Sequence, residues 1–161
     1  MTCFKTSYSF AVAIVCCSLS ACLGYVPGAK VYWDARVKEM CLKDGGATVY
    51  ERVKITPADY QSLRGSGGTI PVPARRFAKP DSPYVADTTI STIHEWGPEV
   101  FRLETLISRV ADGRVLARQV TYIRRGGDFP SPSHSSSYSC SDVGVRLDVE
   151  RQTFEIVGSA E

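Results

Sequence analysis

Glu99-Val100-Phe101-Arg102-Leu103-Glu104-Thr105-Leu106-Ile107-Ser108-Arg109-Val110-Ala111, then Asp112-Gly113, then Arg114-Val115-Leu116-Ala117-Arg118-Gln119-Val120-Thr121-Tyr122-Ile123-Arg124-Arg125, is the stretch that decides the fold. Two long runs rich in β-branched and aromatic residues flank an Asp-Gly pair, the pattern of a β-hairpin closed by a type I′ turn. Such a turn pairs Ala111 with Arg114. That register puts Phe101, Leu103, Thr105 and Ile107 on one face with Leu116, Val120 and Tyr122. Arg102, Glu104, Ser108, Gln119 and Thr121 take the other. One side of the hairpin is therefore expected to meet a core, and the other to meet water or a partner.

Working upstream, Tyr84 to Trp96 reads as a further strand. Residues 71–83 hold Pro71, Pro73, Pro80 and Pro83 and read as an extended surface loop. Thr56-Pro57-Ala58-Asp59 supplies an N-cap hydroxyl, a proline at the first helical position and an acid in the first turn, so a short helix is expected to about Leu63. Ala47 to Lys54 alternates like a single strand. Trp33, Val37, Met40 and Cys41 fall at i, i+4, i+7 and i+8, one helical stripe that ends at Gly45-Gly46 and places Cys41 on the buried side. Downstream, residues 125–139 are rich in Gly, Pro and Ser and read as a long loop, and residues 143–157 read as a final strand pair. The expected class is α+β: a small single domain over residues 31–161, its N-terminal helix packed on an antiparallel sheet with a central hairpin.

The N-terminus carries a different signal. Lys5 is followed by the uncharged apolar run Phe10 to Leu19, which has the length of a signal-peptide core and is too short to span a bilayer. It closes on Leu19-Ser20-Ala21-Cys22, which resembles the lipobox of bacterial lipoproteins at all four positions. That resemblance implies cleavage after Ala21 (residues 1–21 as leader), acylation of Cys22, and a short tether over residues 22–30. Several acyl chains anchor a protein stably where one does not. Leu23, standing where an Asp would signal inner-membrane retention, favours the outer membrane of a Gram-negative cell, with the domain facing the periplasm. The alternative is an ordinary secretory signal cut nearby.

Removing that leader takes Cys3, Cys16 and Cys17 with it. Cys22, Cys41 and Cys140 remain; with Cys22 acylated, Cys41 and Cys140 form a natural pair for a disulfide in an oxidising compartment. It would close a loop of about 100 residues, worth up to about 4.7 kcal/mol in the chain-entropy model. Two free thiols, or a metal site joined by His94 and His134, are the alternatives; the cysteines lack the close pairing of zinc ligands. The string Trp33-Asp34, Glu39-Met40-Cys41, Lys43-Asp44-Gly45-Gly46, Thr48-Val49-Tyr50-Glu51, with His134 and Ser139-Cys140, is similar to motifs of small uncharacterised proteobacterial lipoproteins. That similarity supports the two-cysteine scaffold and implies no activity.

Charge and motif content narrow the chemistry. Lys5 is one of 19 basic residues, and the others balance the 17 acidic ones to within one charge, which is not the balance of a nucleic-acid binder. No hydrolase elbow, zincin or phosphate-loop motif is present, and no cofactor is expected. Three functions are carried forward. The first is non-catalytic binding of, or structural interaction with, an envelope protein, beside the bilayer held through Cys22. The second is an envelope hydrolase built on His134 with Asp128 or Asp142 and a serine between Ser133 and Ser137. The third is a small-ligand site needing a closed apolar pocket beside the hairpin. Arg75-Arg76 and Arg124-Arg125 are candidate anion contacts, since guanidinium groups match planar anions.

Overall fold

The structure, a computed structural model, describes residues 28–63, 72–128 and 136–157. The expectations placed on the leader, on Cys22 and on His134 lie outside those residues. Helix α1, Ala29–Asp44, takes in the last two residues assigned to the tether. It stops where Gly45 must be glycine: a Cβ there would come within 2.6 Å of the Cys41 carbonyl oxygen and 3.1 Å of Cys140 Sγ.

The main sheet is antiparallel and runs β1-β5-β4-β3. Its strands are β1 Gly46–Val49, β3 Tyr84–His94, β4 Glu99–Arg109 and β5 Val115–Arg125. A short strand β6, Ser137–Ser139, shares with β1 the same edge of β5: β1 lies along Ala117 to Val120 and β6 along Ile123 to Arg125. A separate parallel pair joins β2, Val53–Ile55, to β7, Phe154–Ile156. The chain is thus α+β, with a helix, an antiparallel sheet and one disulfide: Cys41 and Cys140 are joined, with Cα atoms 5.2 Å apart.

The hairpin forms, but not in the expected register. Of the Asp112-Gly113 pair only Gly113 takes a positive φ, +69°. A type I′ turn needs positive φ at both central positions. Asp112 instead uses its carboxylate locally, accepting from the Arg114 N–H at 3.1 Å and from the Arg109 guanidinium at 3.0 Å. The loop therefore spans Val110 to Gly113, closed by Arg109 N–H donating to the Arg114 carbonyl at 2.9 Å. Through the strands Ile107 faces Ala117, one residue away from the partner expected, with a bulge between Ile107 and Ser108. A one-residue slip exchanges faces. Val120 and Tyr122 consequently share a face with Val100, not with Phe101 and Leu103.

Each face carries part of a core. On one, Val100, Val120 and Tyr122 cluster with Val37 and Cys41 of α1 and with Cys140. On the other, Ile107, Ala117 and Leu116 cluster with Ile55, Val72, Val149 and Phe154. The expectation of one dry face and one wet face is corrected accordingly.

Two further expectations change. Ala47 to Lys54 is not one strand: the Tyr50 and Glu51 amides both donate to the Leu116 carbonyl, at 2.8 and 3.0 Å, and the doubled contact ends β1 and bends the chain before β2. Residues 143–157 form no strand pair. Residues 145–148 are irregular, a short helix α3 covers Val149–Thr153, and only β7 is extended. Thr153 Oγ1 donates back to the Val149 carbonyl at 2.6 Å, a bond that a strand could not make. The capped helix is found as read: α2 covers Pro57–Leu63, with the Asp59 N–H donating to Thr56 Oγ1 at 3.1 Å.

Candidate functional site

Among the described residues, the outer edge of β3 is a long strand edge with no strand paired to it. The chain from Val72 to Ala78 covers the start of this edge, where Ala86 N–H donates to the Pro73 carbonyl at 2.9 Å and Ala74 bridges Ala86. Backbone groups alternate sides along a strand, so the N–H and C=O of Thr88 and Ile90 point the same way as those of Ala86. No strand lies beside them among the described residues. Thr88, Thr89, Ile90, Ser91, Thr92 and Ile93 are all exposed and none is charged. Long uncharged edges of this kind are templates for another strand, and proteins commonly blunt them with lysine, proline or a covering loop.

A groove adjoins that edge. Ala74, Arg75, Arg76, Ala86, Thr88 and Ile90 line a hollow of about 590 Å³. It continues, through Ala74, Ala86 and Thr88, into a second of about 580 Å³ that runs across Thr105 and Gln119 to α3. The floor is polar: the Thr88 and Thr105 hydroxyls are 2.9 Å apart, and Gln119 Oε1 is enclosed with no hydrogen-bond partner among the described residues. On the α3 wall, burial raises the Glu150 carboxyl above its ordinary range, against a smaller opposing effect of a backbone hydrogen bond at Val72. Both hollows open to solvent, so neither is the closed apolar pocket the small-ligand reading requires.

The arginine pairs divide. Arg75 is held by Asp87 through three bonds of 2.6 to 2.9 Å, which lower the Asp87 carboxyl. Arg76 lies 4.7 Å over the Phe77 ring. Arg124 is no anion contact, because its side chain is 2% exposed and already paired with Asp34. Its Nε donates to Asp34 at 2.7 Å, and one terminal nitrogen donates to the Gly126 carbonyl and to the Ser136 carbonyl and hydroxyl. Only Arg125 of that pair faces outward, with its guanidinium 5.8 Å from the Phe101 ring. Here the contacts on the inner face of β5 outweigh the doublet.

Of the residues named for a hydrolase, Asp128 accepts from Lys30 Nζ at 2.5 Å and from the Ser136 N–H at 2.6 Å, and these bonds hold its carboxyl well below the usual range. Asp142 accepts from the Ser139 N–H and hydroxyl at 2.7 and 2.9 Å. Both carboxylates are thus engaged in fixing loops around Cys140. The His94 Nδ1 is 2.7 Å from the Pro98 carbonyl and its ring packs on Trp33. Cys41 and Cys140 bind each other and are not metal ligands. The β3 edge escaped sequence reasoning, although the uncharged run Thr88 to Ile93 was visible there; what the sequence lacks is the pairing order that leaves this strand outermost.

No protein-family model, no curated protein and no solved structure matches the chain.

Proposed function

We propose that the chain is a lipid-anchored protein of the bacterial outer membrane, held through an acylated Cys22, whose periplasmic domain works by binding and not by catalysis. Its partner is an extended segment of another envelope protein, added as a strand along the open edge of β3. Main-chain bonds to Thr88 and Ile90 would give affinity, and side chains entering the adjoining groove would give selection. The observation that carries this reading is the exposed, uncharged run Thr88 to Ile93, beside which no strand lies among the described residues. The Cys41–Cys140 bond supports an oxidising compartment, where such bonds persist. In this reading α1 is a fixed brace packed on the sheet, supported by the burial of Val37 and Cys41 against Val120 and Tyr122.

Photo-crosslinking in cells tests it. A crosslinking residue at position 90 is expected to trap one discrete envelope protein, whereas the same residue at exposed Tyr50 is expected to trap none. Ile90→Pro removes a single outward donor from an edge strand, a place where proline is tolerated, and should abolish the adduct formed from a crosslinking residue at position 92. Equal adducts at positions 50 and 90, or none at 90, refute the docking edge. Mass spectrometry of the mature N-terminus, with Cys22→Ser as control, tests the anchor separately.

A further inference from the structure

Aromatic rings gather where α1 begins. Tyr32 and Trp33 meet edge to face at 5.3 Å, and the Trp33 ring lies 4.6 Å from that of His94. Trp96 and Gly97 complete a hollow of about 560 Å³ with the first turn of the helix. The inner rings are spoken for, Trp33 by the core cluster around Val37 and His94 by the Pro98 carbonyl. The outer ones are bare: Trp96 is 80% exposed and Tyr32 58%. Val31, next to Tyr32 in the chain, and Ile93, next to His94, are also exposed. Tryptophan is highly buried on average, so an indole standing this far out of a folded domain calls for a partner.

The place of the patch says which partner. It sits at the first described residues, and on the lipid-anchor reading, on which this inference rests, the chain from Leu23 to Gly28 reaches at most about 20 Å when fully extended. The rings therefore cannot leave the neighbourhood of the bilayer surface. Trp and Tyr, with an apolar body and one polar hydrogen-bonding group, favour the boundary between headgroups and acyl chains. The surrounding charge is mixed: Glu95 and Glu99 are exposed close by, Lys30 and Arg36 on α1 are paired with Asp128 and Glu39, and the Arg125 side chain faces outward. Anionic headgroups are recognised by clusters of lysine and arginine, whereas the lysine and arginine of α1 nearest the patch, Lys30 and Arg36, are each paired with a carboxylate. We infer that Tyr32 and Trp96 insert into the interfacial layer of the phospholipid bilayer that carries the anchor, so the domain is seated on the membrane by two contacts, one covalent and one aromatic.

The test uses the full acylated chain in phosphatidylcholine vesicles whose acyl chains carry bromine near the headgroup. The chain has two tryptophans. Expected is a loss of roughly half of the Trp96 emission in brominated against unbrominated vesicles, with a shift to shorter wavelength, as for an indole at the interface. Comparing the unaltered chain with Trp96→Phe isolates that signal, because Trp96 is exposed and its replacement leaves the core intact. Trp33→Phe should retain the full quenching, and its failure to fold would not affect the first comparison. Acylated protein that floats with the vesicles but shows equal emission from both lipids overturns the inference and leaves the anchor standing. Protein shown by mass spectrometry to be unacylated, and absent from the floated vesicles, overturns both.

Discussion

Replacing Arg124 by methionine should destabilise the domain far more than any other arginine substitution, and the structure sets the size of the loss. Methionine keeps an unbranched side chain but removes the charge and every donor. Asp34 then loses its 2.7 Å partner, and the Ser136 carbonyl and hydroxyl lose theirs at 3.0 and 2.9 Å. Removing one member of a buried pair costs about 3–5 kcal/mol, because the other charge stays behind. Asp34 is 28% exposed, so water partly compensates it and the lower end applies, about 3 kcal/mol. With a urea slope of about 2 kcal/mol per M, the unfolding midpoint by circular dichroism should fall by about 1.5 M. Arg125→Met, at the exposed next position, should change stability by no more than about 0.5 kcal/mol. Adding Asp34→Asn to Arg124→Met should recover part of the loss, since the stranded charge is gone. Arg124→Met and Arg125→Met midpoints within about 0.3 M of each other would refute the reasoning, given that slope.

Cys41→Ala with Cys140→Ala should lower stability by up to about 4.7 kcal/mol, and an equal urea midpoint with and without a reductant would show that the bond contributes nothing. Because burial raises the folded-state Glu150 carboxyl, its effect is a penalty that appears as pH rises above the unfolded carboxylate range; Glu150→Gln should raise Tm at pH 7 and give no gain near pH 3. Asp128 behaves oppositely: its lowered carboxyl stabilises the fold above the unfolded range and stops doing so as pH falls, so Asp128→Asn should lower Tm at pH 7, a difference that shrinks in acid. Gly45→Ala should be strongly destabilising by thermal unfolding, since its methyl would meet the Cys41 carbonyl; a Tm within a degree or two of the parent would contradict that contact.

Local chemistry carried most of the sequence reading. The Thr56 cap, the helical stripe through Val37 and Cys41 and the two long hairpin strands each depend on neighbours within a turn or a strand, and each appears as read. The hairpin register depended on one turn. Asp-Gly suits a type I′ turn, but the Asp112 side chain found better partners in Arg109 and Arg114, and the loop took two more residues. Strand alternation places Arg124 with Val120 and Tyr122, so its inward direction was within reach; its acceptors come from Asp34 and from the chain beyond β5, which alternation cannot supply. The parallel pairing of β2 with β7 joins segments about 100 residues apart, and no local pattern announces it. The candidate edge was hidden for the same reason: the composition of β3 is local, but being outermost is a property of the whole sheet.

The Cys41–Cys140 bond also has a mechanical meaning. If the cell surface tugs on the polypeptide from its amino-terminal side, load enters through the start of α1, where the Lys30–Asp128 and Asp34–Arg124 bridges are the first to resist. Should both give way, the helix can peel only as far as position 41 before the strain reaches sulfur. From there it passes across to the segment after β6, and the sheet beneath is not unzipped strand by strand.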